Sequence, residues 1–124
     1  MGCPSFYALL FIHRLTYIYF EPLKVDLLAV HQVHLIRTDG HHYLTSDMYV
    51  ESYKLAYGIV ENTLDTFKDG SGADKIFRGN TDDSNISVNG ISPSIVARYV
   101  RLEVVSFNRA PILRWNLYGC LWEY

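Results

Sequence analysis

The sequence predicts an all-β domain, a sandwich or barrel of short strands, on three observations. Of the 124 residues, 25 are Val, Ile or Thr, and aromatics add 15%. Such side chains pack well on a pleated, half-buried surface. Apolar runs of strand length alternate with turn signals about every ten residues. No window holds a helical apolar period over three turns, and there is no internal repeat.

Residues 6–20, FYALLFIHRLTYIYF, are the most apolar stretch. It is too short to span a bilayer, and His13-Arg14 interrupts it. It lacks the basic start and small-residue cleavage site of a secretory signal peptide. Met1-Gly2 opens like a myristoylation signal, but the position that needs Ser or Thr is Phe6. The segment reads as an apolar leader, an interfacial segment or a strand.

From Leu23 onward each strand is bounded by its own turn. Leu23–Leu28 comes first, then Val30–Thr38, closed by Asp39-Gly40. Ser52–Gly58 and Thr63–Lys68 follow, the latter closed by Asp69-Gly70-Ser71-Gly72, where glycine admits positive φ. Lys75–Phe77 is brief, and the polar Arg78–Asn85 is a loop. Ile86–Val88, Ala97–Val105 and Ile112–Tyr118 complete the set. In Val96–Val105, alternation puts Val96, Arg98, Val100, Leu102 and Val104 inward. A guanidinium among core aliphatics needs a carboxylate. Asp26, flanked by Val25 and Leu27, is the expected partner in a structural Asp26–Arg98 ion pair.

The length argues for one domain. A net charge of −2, a pI near 6.2 and a mean hydropathy of +0.03 describe a globular chain without the positive field of a nucleic-acid binder. Two cysteines, Cys3 and Cys120, can form neither a disulfide-dense scaffold nor a four-cysteine zinc site. They are either one long bridge, stabilising by about 4–5 kcal/mol through chain entropy, or two unrelated thiols.

Little in the chain points to catalysis. Its hydroxyls lack a nucleophile-elbow context, Cys3 has no neighbouring base, and Asp82-Asp83 lie in a polar loop that cannot raise a pKa. No enzyme activity and no cofactor are expected. His31, His34, His41 and His42 cluster, but His31 and His34 point to opposite faces of a strand, so they read as surface and loop residues rather than a metal site. Asp69–Asp74 lacks the ligand series of a calcium loop and reads as a turn. Asn85-Ile86-Ser87 is an N-glycosylation sequon. The remaining unusual segment runs from His41 through His42, Tyr43, Leu44 and Thr45 to Ser46. It places aromatic and apolar side chains where solvent loops carry Ser, Asn or Asp. Such a tip can anchor a sugar ring, a peptide or a membrane interface, or can fold back to cap the sandwich.

Several strings together resemble one family. They are LKVDL (Leu23–Leu27), V-x-x-I-x-T-x-G (Val33 to Gly40), TSDMYVESYKLAYG (Thr45–Gly58), DKIFRGNTD (Asp74–Asp82), PSIVARYVRLEVV (Pro93–Val105) and LRWNLYGC (Leu113–Cys120). In order and combination they resemble the discoidin domain, also called the coagulation factor type C domain. The resemblance implies an extracellular or cell-surface, jelly-roll-like antiparallel β-sandwich that recognises ligands through loops at one end. Family ligands include glycans, anionic phospholipid, collagen and matrix or receptor proteins. The loop before TSDMYV resembles a membrane-inserting spike, with Leu44 at its apolar position. The family's first strands and first ligand loop are missing here. The chain thus divides into an atypical apolar segment, 1–20, and a partial discoidin-type domain, 21–124. In the family an opening cysteine bridges to the one matching Cys120; its partner here is missing or is Cys3. Collagen-binding members carry Arg after the T-x-G turn, where this chain has His41, which weighs against collagen. A shortened sandwich would expose a strand edge, and Phe6–Phe20 could supply a replacement strand. The implied function is adhesion or recognition of a glycan or protein. The alternatives are peripheral binding to anionic membrane and a non-binding remnant.

Overall fold

The computed structural model describes residues 11–17, 23–43, 46–82 and 84–122. They contain eight strands: β1 (Phe11–Tyr17), β2 (Leu23–Asp39), β3 (His41–Tyr43), β4 (Ser46–Val60), β5 (Thr63–Thr66), β6 (Phe77–Arg78), β7 (Ile86–Asn108) and β8 (Ile112–Leu121). Every pairing between them is antiparallel, in the order β1-β8-β2-β7-β4-β3, with β5 and β6 also on β4. The domain is an antiparallel β-sandwich.

Two long strands belong to both layers. The second part of β2, from His31 to Asp39, pairs with β8 on one side and with the first part of β7 on the other. The first part of β2, Leu23 to Asp26, pairs with Tyr99 to Leu102, and β7 continues along β4 as far as Tyr49↔Asn108. Where the sequence predicts two strands, 23–28 and 30–38, there is one bent strand. The same holds for 86–88 and 97–105, which β7 joins across the cis peptide Ser92-Pro93.

The bend is a bulge. Asp26 pairs with Tyr99 and His31 with Ala97, so five steps on β2 oppose two on β7. Leu28 takes φ 69° within it, and its N–H donates to Asp26 Oδ1 at 2.8 Å. Opposite, Arg98 Nε donates to Asp26 Oδ1 at 2.8 Å and its Nη2 to Oδ2 at 3.0 Å. This two-pronged geometry suits a guanidinium and a carboxylate. Arg98 does not, however, point into the core: its side chain is 40% exposed. The expected face assignment fails because the bulge switches the alternation. Ile95 and Ala97 are buried before it, Val100 and Leu102 after it, while Val96 and Val104 are only partly covered. A second register shift on β2, across His34, does the same between Val33 and Ile36.

The core between the layers is contiguous, from Val25, Val33 and Ile36 through Leu55, Val100 and Leu102 to Leu113, Trp115 and Leu117. Each such side chain contributes about 1.5–3 kcal/mol on burial. At one side Tyr53 stacks on Phe77 at 5.4 Å, and Phe77 meets Phe67 at 5.8 Å. Burial pushes the Tyr53 hydroxyl pKa up, opposed in part by the 3.1 Å bond from Asn89 Nδ2.

The N-terminal apolar segment contributes a strand. β1 runs along β8 from Phe11↔Leu117 to Tyr17↔Ile112, covering an edge of the kind that otherwise invites intermolecular pairing. Cys120 is nearly buried and disulfide-bonded. The chain's one other cysteine, Cys3, lies outside the described residues.

Candidate functional site

At the end of the sandwich where β2 stops, Gly40 turns the chain into a hairpin. His41 pairs with Met48, His42 with Asp47 and Tyr43 with Ser46. In the sequence the two strands are joined through Leu44 and Thr45. Those two residues lie outside the described residues. At His41, His42, Tyr43 and Ser46 the backbone pairing is described and the side chains are not.

The hairpin's base is held from two directions. Asn108 Nδ2 donates to the Asp47 carbonyl at 2.9 Å, and the tight turn beyond it closes with Ala110 N–H to Asn108 O at 2.7 Å. On the other side stands Asn80, 3% exposed. Its Nδ2 donates to Thr38 O at 3.1 Å and Asn85 O at 2.7 Å, and its Oδ1 accepts from Thr38 Oγ1 at 3.1 Å. Its backbone N–H donates to Val50 O at 2.8 Å. Asn80 thus joins the end of β2 and the residue before β7 through its side chain, and β4 through its backbone. Gly79 makes this approach feasible: a Cβ there would stand 2.3 Å from Val50 O.

The sequon lies on the same end, since Ile86 pairs with Asp39. Asn85 is exposed. Its Nδ2 donates to Asp82 Oδ2 at 2.8 Å, and its backbone N–H to Asp82 Oδ1 at 2.8 Å. Backbone donors from Asn85 and Ser84 hold the Asp82 carboxyl below the usual range, as hydrogen bonding to the charged form requires.

The histidines do not converge in what is described. His31 is 6% exposed, and its Nδ1 donates to the Ala29 carbonyl at 2.8 Å, bracing the bulge. Among the described residues, no three His, Cys, Asp or Glu side chains are grouped to hold a metal ion. Asp26 and Arg98 sit at the opposite end from the hairpin, at the bulge. Sequence reasoning missed Thr38, Asn80 and Asn108, which set the hairpin's base. In the string RGNTDDSN, Asn80 looks like Asn85; only the preceding Gly79, a residue that lets backbones approach, sets it apart.

The F5/8 type C domain model matches residues 16–118. The chain belongs to this family. The F5/8 type C domain described here is 34% identical over 98 residues to lactadherin of Mus musculus, covering 79% of this chain and 21% of that protein. It is 35% identical over 102 residues to coagulation factor VIII of Homo sapiens, covering 82% of this chain and 4% of that protein. Thus the chain spans about a fifth of lactadherin and a far smaller part of factor VIII. Among solved structures it resembles discoidin II of Dictyostelium discoideum, with TM-score 0.68 and 26% identity over 81% of this chain and 37% of that one. CBM32-1 from a family 31 glycoside hydrolase of Clostridium perfringens shares the fold at TM-score 0.62 and 12% identity, over 86% of this chain and 74% of that one.

Proposed function

We propose that this domain is a non-catalytic, extracellular recognition module that binds a glycan or protein ligand of the cell surface or matrix. Binding would use the hairpin His41–Ser46 and the loops beside it. The observation that carries this reading is the backbone pairing of His41–Tyr43 with Ser46–Met48 at one end of the sandwich, held at its base by Asn80 and Asn108. A tip on a fixed base loses little freedom on binding. Imidazole and phenol groups supply hydrogen bonds and a flat apolar face, the combination a sugar ring or peptide needs. On this reading residues 21–124 are the domain, and 1–20 join it through β1.

A second reading, peripheral binding to anionic membrane, is favoured by the sequence, in which the apolar Leu44 lies between the paired residues Tyr43 and Ser46. Sedimentation with phosphatidylserine vesicles separates the two. Glycan or protein binding predicts no vesicle-dependent sedimentation. Membrane binding predicts sedimentation that Leu44→Asp abolishes. A chain that unfolds cooperatively yet binds neither vesicles nor any immobilised glycan or matrix protein, collagen included, is a non-binding remnant and refutes both. Asn85 is proposed as a glycan acceptor at the rim of this end. Secretion from animal cells should give a product whose mass falls on glycosidase treatment; an unchanged mass refutes the assignment.

A further inference from the structure

On the flank of the sandwich, away from the hairpin, a cavity of about 290 Å³ opens between the turn after β5 and the first part of β7. Its size is close to the lower limit of small-molecule sites, about 300 Å³. Phe67, Lys68, Asp69, Gly70 and Lys75 line one wall, and Gly90, Ser92 and Pro93 the other.

The turn that forms the first wall is locked. Asp69 Oδ1 accepts from the Ser71 N–H at 2.8 Å, the Ser71 hydroxyl at 2.6 Å and the Ala73 N–H at 3.1 Å. Lys68 and Asp74 form a bridge, and Asp74 accepts from Lys68 and from Lys54. These contacts use up the charge of Lys68; three further polar groups on the cavity have no ion-pair or hydrogen-bond partner among the described residues. Among the described residues, no carboxylate lies within salt-bridge distance of Lys75, whose Nζ stands 5.7 Å from the Phe77 ring centre. Among the described residues, Ser92 Oγ and Asp69 Oδ2 have no hydrogen-bond partner, the contacts of Asp69 all falling on Oδ1. Buried Phe67 and exposed Pro93 add apolar surface between them.

Among the described residues, the cavity offers an ammonium without a carboxylate partner, a hydroxyl, a carboxylate oxygen and an apolar wall, and these select among ligands. A phosphate or sulfate dianion would be repelled by Asp69 and finds only one unpaired ammonium. A neutral sugar leaves the Lys75 charge uncompensated. A sugar ring bearing one carboxylate satisfies all three groups: carboxylate to Lys75, ring hydroxyls to Ser92 and to Asp69 Oδ2, apolar ring face to Pro93. We infer that this flank cavity is a binding site for a single acidic monosaccharide unit of the uronate type. The inference is independent of the hairpin reading.

Amide chemical-shift mapping of the full chain with methyl glucuronoside, methyl glucoside and inorganic phosphate tests it. The expected result is saturable shifts at Gly90, Ser92 and Lys75 with the glucuronoside, much weaker ones with the glucoside, and none with phosphate. Lys75→Gln should weaken glucuronoside binding about tenfold, the scale of one charge-assisted contact, and Ser92→Ala less, with shifts elsewhere unchanged. Absence of shifts at these residues, equal affinity for the glucoside or phosphate, unaltered binding by Lys75→Gln, or shifts confined to 41–46 would each overturn it.

Discussion

Replacing Asn80 by alanine is expected to cost about 2–4 kcal/mol, and the number follows from which partners water can reach. The amide serves three groups: the carbonyl and hydroxyl of Thr38 and the carbonyl of Asn85. Thr38 is fully buried, so both of its neutral groups lose this partner, at about 1–2 kcal/mol each, the lower part of the range for an unsatisfied buried group. The Asn85 carbonyl lies at an exposed residue and regains a partner from water. Against a total of about 5–15 kcal/mol for a domain, the variant remains folded but with a much lower urea midpoint. Urea unfolding followed by the fluorescence of buried Trp115 reads this directly, with the slope unchanged. Adding Thr38→Val removes the orphaned hydroxyl, so the double variant should be no less stable than the sum of the two changes, and by about 1 kcal/mol more stable. A cost below about 1 kcal/mol, or strict additivity, would refute the claim that this amide clasps the hairpin end.

Other outcomes follow from the bulge and the carboxylates. Leu28 is 76% exposed and held at φ 69°, a conformation costing an L-residue about 1–2 kcal/mol. Leu28→Gly should therefore raise stability by about 0.5–1 kcal/mol, after the extra freedom of glycine in the unfolded chain is deducted; a lower urea midpoint would mean that its side chain is held by contacts. Asp26, beside Arg98, and Asp74, beside Lys68 and Lys54, have pKa values lowered from 3.8, as do Asp69 and Asp82. Because the folded values are the lower ones, the stability they provide is complete above about pH 4 and is lost as pH falls through the folded values. Melting temperature should thus drop on acidification below about pH 4, and Asp26→Asn should both lower the neutral-pH melting temperature and shallow that drop. An unchanged acid profile would show that the Arg98 contact contributes nothing.

Much of the architecture was legible in the sequence, and the failures have one cause. Strand-like runs, turn dipeptides and absent helical periods pointed to antiparallel sheets, and the strings around LKVDL and LRWNLYGC pointed to the family. Alternation misassigned the face of Arg98 because a bulge at 27–30, invisible in local composition, switches it. The same blindness split β2 and β7 into pieces, since a bend looks like an end when only apolar runs are read. For the candidate site, the segment His41–Ser46 stood out by its aromatic and apolar composition, but as a loop tip rather than a paired hairpin. Its supports did not, because Asn80 and Asn108 act through contacts with chain segments 42 and 61 residues away. The flank cavity was likewise unreadable: its walls meet only when the turn after β5 folds against β7.

The central claim is that the hairpin end recognises a ligand, and one comparison tests it most directly. Wild-type domain and Tyr43→Ser are applied, at matched melting temperature, to immobilised glycans and matrix proteins. The account predicts saturable wild-type binding to at least one of these and at least about tenfold weaker binding by the variant, equivalent to about 1.4 kcal/mol. Equal binding by both proteins would contradict it, and would move the site away from the hairpin.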